Sequence, residues 1–173
     1  MGNQESPEYL RMSLAAAMTL GVKPGLFYRD AKLFCINLLL TYSDGCVGRC
    51  SYCGLSKGRE GEFGEKSFIR VEWPAYSLEE IVKRIEKNIS KVKRICISMV
   101  THKRASADVL RVVRVLRGRV NIPVSLLITP TLLTEEDLKE FKKAGADRVG
   151  VAVDSATEEL FKRLRIRRVA QER

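Results

Sequence analysis

Cys46, Cys50 and Cys53 are the residues of this chain whose type and spacing could do chemistry. They form a C-x3-C-x2-C run, and Tyr52 stands just before the last of them. Three thiolates can hold three irons of a cubane [4Fe–4S] cluster and leave the fourth iron without a protein ligand. An iron left open in this way can bind a substrate or cofactor directly, which a fully cysteine-ligated electron-transfer cluster does not readily do. A structural zinc site wants four ligands, usually as two pairs. The single histidine, His102, lies far along the sequence, so no local fourth ligand is at hand. A disulfide framework suits a small secreted domain, not a chain with five cysteines and long helical segments.

Such a loop needs elements to hold it, and the hydrophobic pattern describes them. Residues 9–20 read as an N-terminal helix closed by Gly21 and Pro24. Residues 33–40 are a short apolar run, best read as a buried strand that delivers the chain into the cysteine loop. The loop continues through a polar segment containing Gly54, Gly58, Gly61 and Gly64, and long ordered loops are often functional. A regular alternation follows. Ser77-Leu78-Glu79-Glu80 reads as a capping box opening a helix to about Lys91. Residues 94–99 form a strand, 106–116 a basic amphipathic helix, and 123–128 a strand. Thr134 to Asp137 opens a helix ending at Gly145, before a strand over 148–153 and a helix over 156–165.

Four alternations with little room for hairpins predict parallel strands with right-handed crossovers. The expected fold is α/β, a partial TIM-type barrel of about four βα units with an N-terminal helix. Its expected division is a helical extension over 1–32, a core over 33–165, and a basic tail over 166–173. In α/β barrels chemistry gathers at the C-terminal ends of the strands, and the cysteine loop follows the first of them.

At 173 residues and 45% hydrophobic content the chain can bury one sizeable core, which excludes a disordered class. Lys and Arg number 31 against 21 acids, a net charge of +10. That balance suits an anionic partner without choosing between nucleic acid, an anionic membrane and an acidic protein. No stretch reaches the length of a membrane span, and free thiols suit a reducing cytoplasm. The pattern stops after the fourth unit, and residues 163–173 turn basic and lose their periodicity. The expectation is a truncated or frame-disrupted product of a longer enzyme, or a chain completed by a complementing subunit.

The triad resembles the signature of the radical S-adenosylmethionine (radical SAM) superfamily. The chain from about residue 12 to 164 is similar to the biotin synthase and lipoyl synthase group. Gly54-Leu55-Ser56 after the triad, Arg94-Ile95-Cys96, Leu133 to Glu136 through Ala144 to Asp147, and Val153-Asp154-Ser155 carry that likeness. The resemblance implies that Cys46, Cys50 and Cys53 hold a [4Fe–4S] cluster, and that SAM binds its open iron and is cleaved to a hydrogen-abstracting radical. It places Tyr52 beside the adenine and Ser98, with Met99 to Thr101, at the methionine end of SAM. It puts Asp154 on the ribose, where a helix N-cap before Thr157 is the alternative.

Cys96 stands where the biotin synthases supply a ligand to a second iron–sulfur cluster, yet the matching position on the next strand falls near Leu127. Cys96 is therefore open between ligand and small buried residue, and Cys35 reads as structural. The implied reaction is sulfur insertion at an unactivated carbon. Its preferred case is lipoyl synthesis on an octanoylated acidic carrier protein, with dethiobiotin as a small-molecule alternative and a protein supplying single electrons. Transfer-RNA modification is disfavoured, since the chain shows no RNA-binding module and few aromatics. An inactive fragment or iron–sulfur scaffold is the non-enzymatic alternative.

Overall fold

A computed structural model describes residues 4–57, 72–153 and 155–165. Six strands form one sheet in the order β3-β1-β2-β4-β5-β6. They are β1 (Tyr9–Met12), β2 (Cys35–Leu40), β3 (Ala75–Ser77), β4 (Arg94–Ser98), β5 (Val124–Ile128) and β6 (Ala146–Val151). The helices are α1 (Leu14–Thr19), α2 (Leu78–Lys87), α3 (Ala105–Arg119), α4 (Glu135–Ala144) and α5 (Glu158–Arg165). Strands β2, β4, β5 and β6 run parallel, and α2, α3 and α4 lie in the connections between them. This is the expected alternation of strand and helix, in a mixed α/β fold.

Strand parity divides the sheet into two faces. Ile36, Leu38, Ile95, Ile97, Val124 and Leu126 point one way and are fully buried. They share one core with Ile81, Val82 and Ile85 of α2, Val109, Val112, Val113 and Leu116 of α3, and Phe141 of α4. Cys35, Asn37, Arg94, Cys96 and Ser125 point the other way and are half-buried. That second face is more polar, and only towards the strand ends, at Leu39 and Ser98, is it buried.

The helix expected over residues 9–20 is corrected in its first half. Tyr9–Met12 is a strand, antiparallel to β2 on one side and to β3 on the other. Two neighbouring strands satisfy its backbone, and Leu10 and Met12 are fully buried, so tertiary pairing overrides local helical preference. The helix begins only at Ser13, whose Oγ accepts the Ala16 N–H at 3.3 Å. It ends at Gly21, which takes a φ of 67° that a side chain would resist.

Capping fixes the other helices near their expected ends. Ser77 Oγ accepts the Glu80 N–H at the start of α2. Thr134 and Asp137 form a full capping box on α4, which closes at Gly145 with a φ of 102°. Among the described residues no helix is long and apolar enough to cross a membrane.

Candidate functional site

Strand β2 ends at Leu40, and the chain runs directly into Thr41, Tyr42 and the cysteine loop. The loop thus lies at the C-terminal edge of the parallel strands, where side chains from different strands can meet. Cys46, Cys50 and Cys53 are half-buried and none is in a disulfide. Burial pushes the Cys53 thiol up, and the thiolates of Cys50 and Cys46 push it in the same direction, while the Leu55 N–H opposes them.

The loop is shaped by its own backbone. The Cys53 N–H donates to the Cys50 carbonyl at 3.2 Å, Ser56 to Cys53 at 3.2 Å, and Lys57 to Gly48 at 2.9 Å. The Ser51 N–H donates to the Leu164 carbonyl, tying the loop to α5. The segment after β4 supplies the other wall. The Thr101 N–H donates to Cys46 Sγ at 3.4 Å, and the Thr101 carbonyl accepts the Val47 N–H at 3.0 Å. Gly48 makes room for this meeting, because a Cβ there would stand 3.2 Å from Cys46 Sγ and 3.5 Å from Thr101 Oγ1.

These donors fit an iron–sulfur cluster. Three thiols on one loop could supply ligands, and a backbone N–H aimed at a ligand sulfur is the kind of contact that tunes a cluster. A single tetrahedral ion needs its donors gathered on one centre. Among the described residues no three Cys, His, Asp or Glu side chains converge in that way. A cubane makes a lesser demand, since each thiolate binds a different iron.

The other expected site residues are placed unevenly. Tyr52 is half-exposed on the loop beside Cys53. Ser98 is buried at the end of β4, opposite Leu39 and Leu127. Thr101, expected to offer backbone groups to SAM, has both of them engaged by the cysteine loop. Asp154 lies outside the described residues. On β5 the neighbour of Cys96 is Ser125, and Leu127 pairs with Ser98 instead.

Cys96 and Cys35 meet across β2 and β4, away from the triad. The Cys35 thiol, which donates to Asn37 Oδ1 at 3.8 Å, lies beside Cys96 and brings its thiol down to about 7, helped by the charge of Arg94 and opposed by burial. Cys35 is held well above the usual thiol range by the same contact and by burial.

In the sequence His102 stands only as a histidine too distant to complete a local zinc site, and the fold brings it to the base of the loop. Its ring stacks on Tyr42 with centroids 3.7 Å apart and planes 17° apart. Nε2 donates to Asp44 at 3.1 Å, and Nδ1 accepts the Arg104 N–H at 3.2 Å, which assigns the Nε2–H tautomer. Arg104 lies 4.9 Å over the Tyr42 ring and pairs with Glu5. Glu5 also accepts from the Ser43 hydroxyl and N–H, and these contacts with Arg104 bring its carboxyl down to about 2. The buried Tyr42 hydroxyl faces Asp108 without reaching hydrogen-bond geometry, and burial and that carboxylate push the phenol up. No local sequence signal marks this cluster beyond His102 being the chain's single histidine.

Comparison with known proteins agrees with the geometry. A model of the radical SAM superfamily matches residues 40–173. The chain is also 30% identical over 118 residues to the uncharacterized protein MJ0785 of Methanocaldococcus jannaschii. That match covers 68% of this chain and 29% of the relative, so the chain spans less than a third of that protein's length.

Proposed function

The chain belongs to the radical SAM superfamily, and from that premise we propose that Cys46, Cys50 and Cys53 hold the [4Fe–4S] cluster on which S-adenosylmethionine binds. The observation that carries this reading is the placement of three thiols, none in a disulfide, on one loop at the strand ends, with the Thr101 N–H directed at Cys46 Sγ. When bound, cluster and SAM supply one-electron cleavage of a sulfonium bond and removal of hydrogen from an unactivated carbon.

The chain's own part is to hold, orient and shield. The Thr101 N–H withdraws charge from the Cys46 sulfur, which favours the more negative, reduced state. Gly48 lets the two approach. Tyr52 lies against the adenine, Ser98 at the methionine end, and Asp154 takes the ribose hydroxyls. The four parallel βα units form the first part of a barrel that closes over the polar sheet face.

The narrower reading is sulfur insertion, with lipoyl synthesis on an octanoylated acidic carrier protein preferred and a small molecule of the dethiobiotin type as the alternative. The similarity of the Arg94 to Cys96 strand and of the Thr134 helix supports it, and a net charge of +10 suits an acidic carrier. A protein donor of single electrons and a complementing barrel segment or subunit complete the proposed system. A second cluster would have to draw on Cys96 and Cys35.

Anaerobic reconstitution followed by iron and sulfide analysis tests the reading. The chain should hold about four of each, as one cubane requires. Cys46→Ser, Cys50→Ser and Cys53→Ser should each bring iron down to trace levels, while Cys35→Ser and Cys96→Ser leave it unchanged. Iron retained after loss of a triad cysteine would sink the assignment. Iron clearly above one cubane that falls with Cys96→Ser would establish the second cluster.

A further inference from the structure

We propose that His102 is a positioning residue for the cluster. It locks the Thr101 peptide so that its N–H stays on Cys46 Sγ, and it thereby raises the cluster's reduction potential. The inference rests on the cluster reading above, but it concerns residues that reading does not use.

The Thr101 peptide is pinned to the Cys46–Val47 turn on both sides, through its N–H and its carbonyl. The next residue, His102, is held from three directions. The Tyr42 ring stacks on its face, Asp44 accepts from Nε2, and the Arg104 N–H donates to Nδ1. Its side chain is 3% exposed, although the Asp44 carboxylate that holds Nε2 lies at the surface. Tyr42 and Asp44 lead into the triad, while Arg104 leads into α3. One imidazole therefore ties the stretch before Cys46 to the stretch after β4. Glu5 reinforces the link from outside by bonding both Ser43 and Arg104.

A core histidine that merely fills space would be replaced without loss by another aromatic ring. The arrangement here uses both ring nitrogens in fixed directions, which phenylalanine cannot reproduce. His102→Phe keeps the stack on Tyr42 and removes both hydrogen bonds, so it separates filling from positioning. Asp44→Ala removes the outer anchor at a carboxylate that is 66% exposed, where folding is not at stake. Asp44→Asn keeps an acceptor for Nε2.

Two measurements decide the proposal. The first is hydrogen exchange of the Thr101 amide, by NMR on the full chain before iron is added. His102→Phe and Asp44→Ala should speed it at least several-fold, and Asp44→Asn should stay near the wild-type rate. The second is the midpoint potential after reconstitution, followed by electron paramagnetic resonance. Loss of the lock should make one-electron reduction roughly tenfold less favourable, a shift of about 59 mV to more negative potential. Unchanged exchange and unchanged potential in both disruptive variants, at full iron content, would overturn the proposal. If His102→Phe does not fold, Asp44→Ala alone decides between the two outcomes. A wild-type chain that takes up no iron would count against the cluster reading, and the Thr101 exchange rates would still decide the lock.

Discussion

Gly48 shows how much of the site depends on a missing side chain. The space a Cβ would need is already bordered by Cys46 Sγ at 3.2 Å and Thr101 Oγ1 at 3.5 Å. Valine there must push the sulfur or the Thr101 segment aside, since a branched side chain cannot swing clear. Gly48→Val should at least halve the iron taken up, while thermal unfolding changes little because position 48 itself is not part of the core. Normal iron content in that variant would show that the contact is not needed. The Cys35–Cys96 pair makes a separate residue-scale case. In the fold Cys96 ionises at about 7, because the Cys35 thiol and Arg94 favour its thiolate. Pulsed iodoacetamide labelling read by mass spectrometry should show Cys96 reacting with a midpoint near pH 7, ahead of Cys35. Cys35→Ala should move that midpoint towards the ordinary thiol value of about 8.5. The folded chain favours the Cys96 thiolate more than the unfolded chain does, so its contribution to stability is lost as pH falls through 7 and is present above the unfolded value. Above that range Cys35 acts in the opposite sense, since the fold retains a proton that the unfolded chain gives up.

Helix α4 carries the clearest element-scale prediction. Thr134 Oγ1 accepts the Asp137 N–H at 3.2 Å, and Asp137 Oδ2 accepts the Thr134 N–H at 2.8 Å. The second Asp137 oxygen accepts from Ser106 Oγ on α3, so one carboxylate caps one helix and ties it to the next. Asp137→Ala should cost about 1–2 kcal/mol in urea unfolding and leave iron uptake untouched. An effect on iron without loss of stability would contradict this role. The carboxyl lies below its usual range, first through Ser106 and then through Thr134. The cap should therefore weaken as pH falls through the ordinary carboxylate range. Helix α4 was legible in the sequence because capping residues, apolar spacing and the closing glycine are all local signals; the cap of α2 and the apolar spacing of α3 and the parallel strands are local too. Residues 9–12 were not legible, because their strand character comes from β2 and β3, which lie well downstream. The site divides in the same way. Three cysteines in eight residues announce themselves. The His102–Asp44 contact joins residues 58 positions apart, and nothing in the chain between them points to it.

At the scale of the whole molecule, the cover over the sheet runs out at β6. Leu126 on β5 is fully buried, yet its partner Val149 on β6 is 52% exposed, and Val151 is 51% exposed. Val153, just beyond the strand, is 86% exposed. Among the described residues β6 is also the outer strand of the sheet, and none of them pairs with its far edge. Fully burying an exposed valine contributes about 1.5–3 kcal/mol, and ladder hydrogen bonds would add to that. A further strand pairing on this edge, as in the proposed barrel, would collect both gains. The chain's match to less than a third of a longer relative is consistent with such a neighbour. Studied by itself, the chain should associate through this edge, and light scattering during size exclusion should show mass rising with concentration. Val149→Lys combined with Val151→Lys should hold it monomeric, because burying two ammonium groups costs more than the edge returns. Iron uptake should be unaffected, since the triad is held by β2 and the segment after β4 at some remove from this edge. A wild-type chain that stays monomeric at high concentration would mean that β6 is already protected. Association that persists in the double lysine variant would place the contact elsewhere, and the barrel reading would lose its support from this edge.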